Sequence, residues 1–582
     1  MSEKWKHTNH IKFHSHGKGH HDERFVRVSF RVEGRPKTLW FRYDNAASEK
    51  GAFEQLSRKG AHLVTKQARD EFLNRIQKQG PSEGISEKVA TKPGWCGNQF
   101  IVPSGVALRA PDTKPVAVSL TDMPDEIGSL YNDPGSLDSW QKFTELAKGN
   151  TRMTAGASLA FLGPCSKFAS LESVMLQFVG SGGIGKTPLA GSLSAIWGWD
   201  SASSGHRLGG AFSWNVTANK LEEWLAGLNS CFLVLDETTL FGDLGKAEVA
   251  REFLKTIQRM EGGRVKGRMN YSSPLSWFVP VLSTSNRSVM DIIAAAGIDV
   301  DPSVYTDRLI DIPPPAGGYG MFETLHGYVD VAEFSVQLTE LASGFRGGPA
   351  RKFINSLIGK NAAWVKMIIE NRRQYYIKQA KAKIGSGGDR DLTRIHGRFA
   401  NLYAAGQLAA QLDVWRITRD ALLDAIIACE EAHVRLVARR AGDGEGPPRV
   451  ARPSPHRRLV DYIRENEASF IDTAKETLSD PSNGHAGAIG YVAMEAGNKQ
   501  FYFSDQRFSK IAGDKLAAHS LKRELERRNL IAMTGAGEQG KRFSCRKQIG
   551  VFKGKSVRGR VVSISAAILE SDIADDSKRI NA

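Results

Sequence analysis

The chain has 582 residues, which excludes a single small module, because domains usually run to about 100 to 200 residues and three or four units are expected. Hydrophobic residues at 41% and charged residues at 24% exclude a mainly disordered or collagen-like chain. A formal net charge of +16 favours polyanionic partners, with nucleic acid first among them.

Residues 1–24 are polar and carry His7, His10, His14, His16, His20 and His21; they read as a tail that could capture a divalent metal only if a scaffold ordered it. At 25–32, Phe25, Val26, Val28, Phe30 and Val32 alternate with Arg27, Ser29 and Arg31, and a Gly-Arg-Pro turn leads into 38–43, which predicts a hairpin. A helical stretch to about residue 79 and short strands at 95–100 and 101–106 complete an α+β N-terminal domain over 25–125. Leu137, Trp140, Phe143 and Leu146 recur every three residues, so 136–165 is expected to be helical.

Apolar runs at 174–179, 232–235 and 277–283, separated by helical patterns, predict a parallel α/β sheet over 126–330. Pro280 inside the third run implies a bulge or a shorter strand. Residues 331–440 read as a helical subdomain, with Leu392, Ile395, Phe399 and Leu402 at intervals of three or four. The Gly-, Pro- and Arg-rich stretch 441–457 is a linker. A C-terminal domain over 458–560 reads as helix (459–465), hairpin (488–503), helix (515–528) and hairpin (530–546), a winged-helix-like order, and 561–582 as a tail.

Cys96, Cys165, Cys231, Cys429 and Cys545 stand far apart with no C-x-x-C pair, which points away from a zinc ribbon or disulfide framework and toward a reducing cytoplasm. No run approaches the roughly 20 apolar residues needed to cross a bilayer, so no membrane partner is expected.

The segment Gly180-Ser181-Gly182-Gly183-Ile184-Gly185-Lys186-Thr187 is a full G-x-x-x-x-G-K-[ST] loop between an apolar strand and an apolar helix. Glycines let successive N–H groups face phosphates, Lys186 neutralises β and γ oxygens of ATP, and Thr187 can ligate Mg2+. Pro188 departs from the usual helix start, but a first-turn proline is tolerated. The run Cys231-Phe232-Leu233-Val234-Leu235 ends in Asp236-Glu237. Beside the loop strand, Asp236 would join the magnesium shell and Glu237 would deprotonate the attacking water, although an acidic strand end alone is also a common turn former. The third run ends in Ser283-Thr284-Ser285-Asn286, where Asn286 could sense the γ-phosphate or simply close a turn. Arg308 could act as a finger on a neighbouring subunit's nucleotide, or pair with Asp307 or Asp311.

Two basic stretches are candidates for nucleic acid. One is the glycine-rich loop with Arg264, Lys266 and Arg268, which could follow a phosphate backbone or be a solvated hairpin. The other holds Lys541, Arg542, Arg546 and Lys547, in an acid-free segment interleaved with Phe543 and Phe552, readable as a duplex-gripping wing or a solubilising surface.

Taken in order, the loop, the Leu235-Asp236-Glu237 strand, the Asn286 strand end and Asp307-Arg308-Leu309 resemble P-loop ATPases of the additional-catalytic-glutamate division, including superfamily 3 helicases and AAA+ proteins. With Pro93-Gly94-Trp95, Trp214-Asn215-Val216-Thr217, Met321-Phe322-Glu323-Thr324-Leu325-His326-Gly327 and Arg398-Phe399, the chain looks most like the domain of unknown function 927 family of mobile elements, over roughly 24–545. That resemblance implies an ATPase of replication with DNA as partner, working as a homo-oligomer, a ring being one arrangement. Priming would need a separate primase, because no cysteine-rich or acidic primase motif stands in this sequence. A nucleotide-gated DNA-binding switch without unwinding is the alternative reading.

Overall fold

The computed structural model describes residues 11–19, 23–32, 35–43, 53, 56–57, 60–61, 63, 65–78, 87–120, 125–128, 135–198, 212–264, 276–385, 392–442, 455–475, 488–512, 515–534, 543–553 and 555–569. The chain divides into two units, Met1–Pro314 with Leu338–Gly446, and Pro315–Gln337 with Pro447–Ala582. Among the described residues no helix is long and apolar enough to cross a membrane.

In the first unit, β1 (Lys12–Lys18), β2 (Arg24–Val32), β3 (Arg35–Arg42) and β4 (Glu87–Ala90) form most of one sheet. The hairpin of β2 and β3 is the expected one, with Val28 opposite Leu39. Alternation puts Val26, Val28 and Phe30 into a core with Phe41 and Phe72, while Phe25 packs on the other face with Trp40 and Val89. The expected tail to residue 24 is corrected here, because β1 pairs antiparallel with β2 and parallel with β4. Backbone pairing asks little of side-chain polarity, and it covers an edge that β2 would otherwise expose. His14 and His16 therefore lie on a strand, whereas His7, His10, His20 and His21 fall outside the described residues.

A small antiparallel sheet follows, of β5 (Gly94–Cys96), β6 (Gln99–Ile101) and β7 (Ala107–Leu108), while β8 (Ala117–Val118) closes the first sheet in the order β3-β2-β1-β4-β8. Helices Leu137–Ala147 and Thr151–Ala160 bury Trp140 and Phe143, though Leu137 stays exposed at the helix start.

The parallel sheet holds β9 (Met175–Val179), β10 (Phe212–Ser213), β11 (Leu233–Asp236), β12 (Val281–Ser285) and β13 (Leu309–Ile312) in the order β10-β11-β12-β9-β13. Pro280 shortens the third predicted strand, which starts at Val281. All five residues of β9 and of β12 are buried, the pattern of strands covered on both faces.

The helix Val331–Phe345 opens the predicted helical stretch, and after it come the helices Gly348–Leu357, Ala362–Ile384, Thr393–Gln411 and Arg419–Gly442. The last four share the unit of the parallel sheet rather than standing apart. Gly406 explains the close approach, since a Cβ there would lie 2.6 Å from Ser158 Oγ on the helix Thr151–Ala160. Within these helices, His396 Nδ1 and Tyr376 OH both bond the buried Glu430 carboxylate, at 2.5 and 2.6 Å.

The second unit holds more than the C-terminal domain predicted from 458, because Pro315–Gln337, expected in the core to 330 and the helical subdomain after it, belongs to it as well. Tyr319 OH donates to Asp461 at 2.8 Å, and the Gly327 N–H donates to Glu465 at 3.2 Å. Val329 joins a core with Leu459, Ile463, Phe501, Phe503 and Leu521. Helix Pro455–Asn466 is followed by β14 (Ile471–Asp472), β15 (Tyr491–Glu495) and β16 (Asn498–Phe503), then helices Asp505–Ala512 and Lys515–Arg527, then β17 (Cys545–Phe552) and β18 (Lys555–Ser565). Two helices, not one, separate the hairpins, and the last hairpin spans 545–565 rather than 530–546. The tail assigned from 561 cuts through β18, whose Val562 and Ile564 are buried between β16 and β17 in the sheet order β14-β15-β16-β18-β17.

Candidate functional site

Parallel pairing aligns the strands so that Ser285 faces Val179, Leu235 faces Ser283 and Ile312 faces Phe178. Their C-terminal ends therefore share one edge, the edge where open α/β sheets hold ligands. Gly180 to Gly185 turn there between β9 and the helix Lys186–Ser194. Gly180, Gly183 and Gly185 have φ of 144°, 77° and 86°, values that favour glycine. A Cβ at Gly182 or Gly183 would meet nothing within 4 Å, so this part of the loop presents bare backbone to an open side.

Lys186 leads the helix and curls over the loop. Its Nζ donates to Gly180 O at 2.7 Å, to Ser181 O at 2.8 Å and to Asn286 Oδ1 at 3.0 Å. Burial pulls its ammonium below the usual lysine range, and the carboxylates of Glu237 and Asp236 oppose that pull. Thr187 Oγ1 donates to Asp236 Oδ1 at 2.9 Å, and Thr284 Oγ1 donates to the same oxygen at 2.6 Å. The sequence placed the Asp236 strand directly beside the loop strand; instead β12 intervenes, and Thr284 on it buttresses the carboxylate. Strand adjacency is a tertiary property, set by which crossover packs where, and no local pattern encodes it.

Glu237 lies beyond the strand with φ of 57°, a left-handed conformation uncommon for a non-glycine residue. Its N–H donates to Thr284 Oγ1 at 2.9 Å, and its Oε1 accepts from Thr239 Oγ1 at 2.6 Å. Asn286 Nδ2 reaches the same carboxylate at 3.3 and 3.4 Å. One amide thus joins Lys186 through its oxygen and Glu237 through its nitrogen. Thr238 Oγ1 and Ser285 Oγ, 2.5 Å apart, tie the two strand ends behind them.

A polar chain that the sequence reading missed crosses the middle of the sheet. Trp214 Nε1 donates to Ser283 Oγ at 2.9 Å, Ser283 Oγ to Gln177 Oε1 at 3.0 Å, and Gln177 Nε2 to Asp311 Oδ1 at 2.8 Å. Asp311 Oδ2 accepts from the Val289 N–H at 2.7 Å, which anchors the turn carrying Asn286. The signal was a lone glutamine inside the apolar run Met175-Leu176-Gln177-Phe178-Val179. Burial drives the Asp311 carboxyl up from 3.8 to about 7, against the bonds from Val289 and Gln177, and Asp291 adds to the rise. A raised folded pKa gives stability in full below the unfolded value of about 4 and loses it as pH climbs through about 7. Unfolding free energy is therefore expected to fall between about pH 4 and 7, with a flatter profile for Asp311→Asn. Urea titrations at stepped pH check this, and identical slopes would remove Asp311 as the cause.

Arg308 is not brought to the loop of its own chain. It precedes Leu309, which pairs with Met175 at the opposite edge of the sheet. Its Nε donates to Glu261 rather than to the expected Asp307 or Asp311, and Arg398 bonds the other oxygen of Glu261. Glu261 closes the helix Ala247–Gly262, from which the basic loop departs, and a cavity of about 710 Å³ lies there, lined by Glu172, Glu261, Arg264 and Arg394 among others. Arg264 is exposed; Lys266 and Arg268 lie outside the described residues, as do Lys541 and Arg542. Arg546 is exposed. Lys547 is corrected as a nucleic-acid contact, because Glu495 takes its ammonium with both oxygens at 2.6 Å. Among the described residues no three or more His, Cys, Asp or Glu gather to hold a metal ion.

No curated protein matches the sequence. Among solved structures, the chain is similar to one described as "SCCmec type IV Cch - active helicase", at 14% identity and a TM-score of 0.51, over 97% of this chain and 95% of that one. That likeness shows a shared mixed α/β fold. A structure of the NrS-1 C-terminal region aligns at 13% identity and a TM-score of 0.25, over 69% of this chain and 88% of that one. NtrX from Brucella abortus in complex with ATP aligns at 13% identity and a TM-score of 0.20, over 48% and 67%. Neither of these last two alignments is close enough to transfer a residue. Residues 5–252 match the family described as "Domain of unknown function (DUF927)", the family that the ordered motifs of the chain resemble.

Proposed function

We propose that this chain is an ATP-hydrolysing nucleic-acid motor, a DNA helicase serving replication of a phage, plasmid or other mobile element. In this reading the parallel sheet is a P-loop core, and the C-terminal unit is winged-helix-like. One observation carries it: Thr187 and Asp236, 49 residues apart, bond at the mouth of a glycine loop whose lysine is joined through Asn286 to Glu237. A turn former without chemistry would not need its acid aimed at the hydroxyl of the loop.

Gly180, Ser181, Gly182, Gly183, Ile184 and Gly185 would cradle the phosphates with backbone N–H groups, and the helix dipole behind them favours negative charge. The Thr187 hydroxyl and Asp236 carboxylate are adjacent oxygen donors of the kind Mg2+ takes, and the bound ion would supply charge neutralisation at the phosphate oxygens. Lys186 would leave its loop carbonyls for the β and γ oxygens, and its desolvation makes that charge count for more. Glu237 would accept the proton of the attacking water, while Asn286 orients the carboxylate and reports the γ-phosphate. Arg308, on the opposite edge of the sheet, would meet only another copy's nucleotide, which fits a homo-oligomer. Arg264, with Lys266 and Arg268 after it, would follow a DNA strand. The fold shared with a protein described as an active helicase agrees with this reading.

The test is ATP turnover with and without single-stranded and forked DNA at stated salt, alongside displacement of a labelled strand. DNA-stimulated turnover with displacement is expected. ATP-dependent DNA retention with no displacement would replace the motor with a nucleotide-gated switch.

A further inference from the structure

The helix Lys515–Arg527 buries Ala518, Leu521 and Leu525 against Phe508 and Ile511 of the helix before it. Intervals of three and four put these on one stripe and leave His519, Ser520, Arg523 and Arg527 exposed on the other side. Neighbouring cations are spoken for: Lys522 pairs with Asp505 at 2.7 Å and Arg528 with Glu524 at 2.9 Å. Arg523 and Arg527 have no carboxylate partner among the described residues.

The β17–β18 hairpin adds an independent oddity. No acid occurs between residues 545 and 565, and in the strand register Arg546 stands directly opposite Arg560, both exposed. Like charges facing each other across a strand pair are destabilising unless an anion lies between or over them. The root of the hairpin is tied to the exposed side of the helix, because the ring of Phe543 meets the ring of His519 edge-on, with centroids 6.2 Å apart. The unpaired helix arginines and the hairpin arginines therefore belong to neighbouring elements of the same domain.

We infer that this combination binds double-stranded DNA, with the helix side bearing Ser520, Arg523 and Arg527 in the major groove and Arg546 and Arg560 on flanking phosphates. The helix stretch from 519 to 527 is about 12 Å long at 1.5 Å per residue, and the B-form major groove is about 12 Å wide. Duplex RNA, whose major groove is deep and narrow, would not admit it. Charge complementarity and the absence of acid from the hairpin select a polyanion, and a helix side that exposes Ser520, Arg523 and Arg527 selects a grooved one. This deepens the nucleic-acid half of the proposed function and needs nothing from the ATP site.

Full-length chain, without nucleotide, is titrated against labelled duplex DNA, single-stranded DNA and duplex RNA of equal length between 50 and 200 mM salt. Arg546→Gln with Arg560→Gln is expected to lower the slope of log K against log salt by about 2, one for each phosphate contact. Arg523→Ala with Arg527→Ala is expected to weaken duplex DNA binding about tenfold or more and to narrow the gap between preferred and random sequences. Melting of the hairpin variant should be no lower than wild type, since a repulsive pair is removed. Wild-type duplex affinity in both variants overturns the inference, and so does equal or tighter binding of duplex RNA. A preparation that hydrolyses no ATP yet shows these losses supports the DNA surface and sinks only the motor.

Discussion

Glu237→Gln should lower ATP turnover by about 10² to 10⁴-fold while leaving ATP bound, the range general-base catalysis contributes. Glutamine keeps the size of the side chain and can still accept from Thr239 Oγ1, now 2.6 Å from the carboxylate, so the loop and the Asp236 strand stay in place. What disappears is a proton acceptor beside the attacking water. The conformation around Glu237 supports a chemical role, since a non-glycine residue at φ of 57° carries strain that a plain turn would shed by accepting glycine. Single-turnover hydrolysis with a parallel nucleotide-binding titration separates the two steps. Turnover at the wild-type rate would remove Glu237 as the base.

Lys186→Ala should lower turnover by about 10² to 10³-fold and weaken ATP binding as well, the loss expected when one preorganised charge donor is removed from a developing oxyanion. Lys186 is half of a shared device, for Asn286 accepts from it at 3.0 Å and donates to Glu237 at 3.3 Å. Truncation therefore frees the amide to rotate, and Asn286→Ala should reproduce part of the loss without touching the cation. Thermal melting of both variants checks that the fold survives. Unchanged turnover in Lys186→Ala would leave the glycine loop a structural turn and take the motor with it.

The glycine loop was legible because its geometry is local. Three positive-φ positions, a lysine and a hydroxyl must follow one strand and start one helix, and eight consecutive residues encode all of it. The hairpin at 24–42 was legible for the same reason, since period-two alternation is a property of neighbours. Elements that depend on pairing partners were not legible in this way. Polar residues 12–18 became a strand because an edge needed covering, and residues 561–565 became the middle of a sheet because β16 and β17 lie on either side.

Two charged residues show the same divide within the functional region. Lys547 looked like any other cation in an acid-free run, yet Glu495, 52 residues earlier in the chain, neutralises it. Arg308 had Asp307 and Asp311 within three residues but bonds Glu261, while Asp311 is turned into the sheet toward Gln177 and Val289. Sequence by itself determined which groups could bind phosphate, carry a proton or repel one another, because those are properties of residue type and short spacing. Only the tertiary structure decided which groups meet, since the strand order β10-β11-β12-β9-β13 brings Thr187, Asp236, Glu237 and Asn286 to one edge and leaves Arg308 on the other.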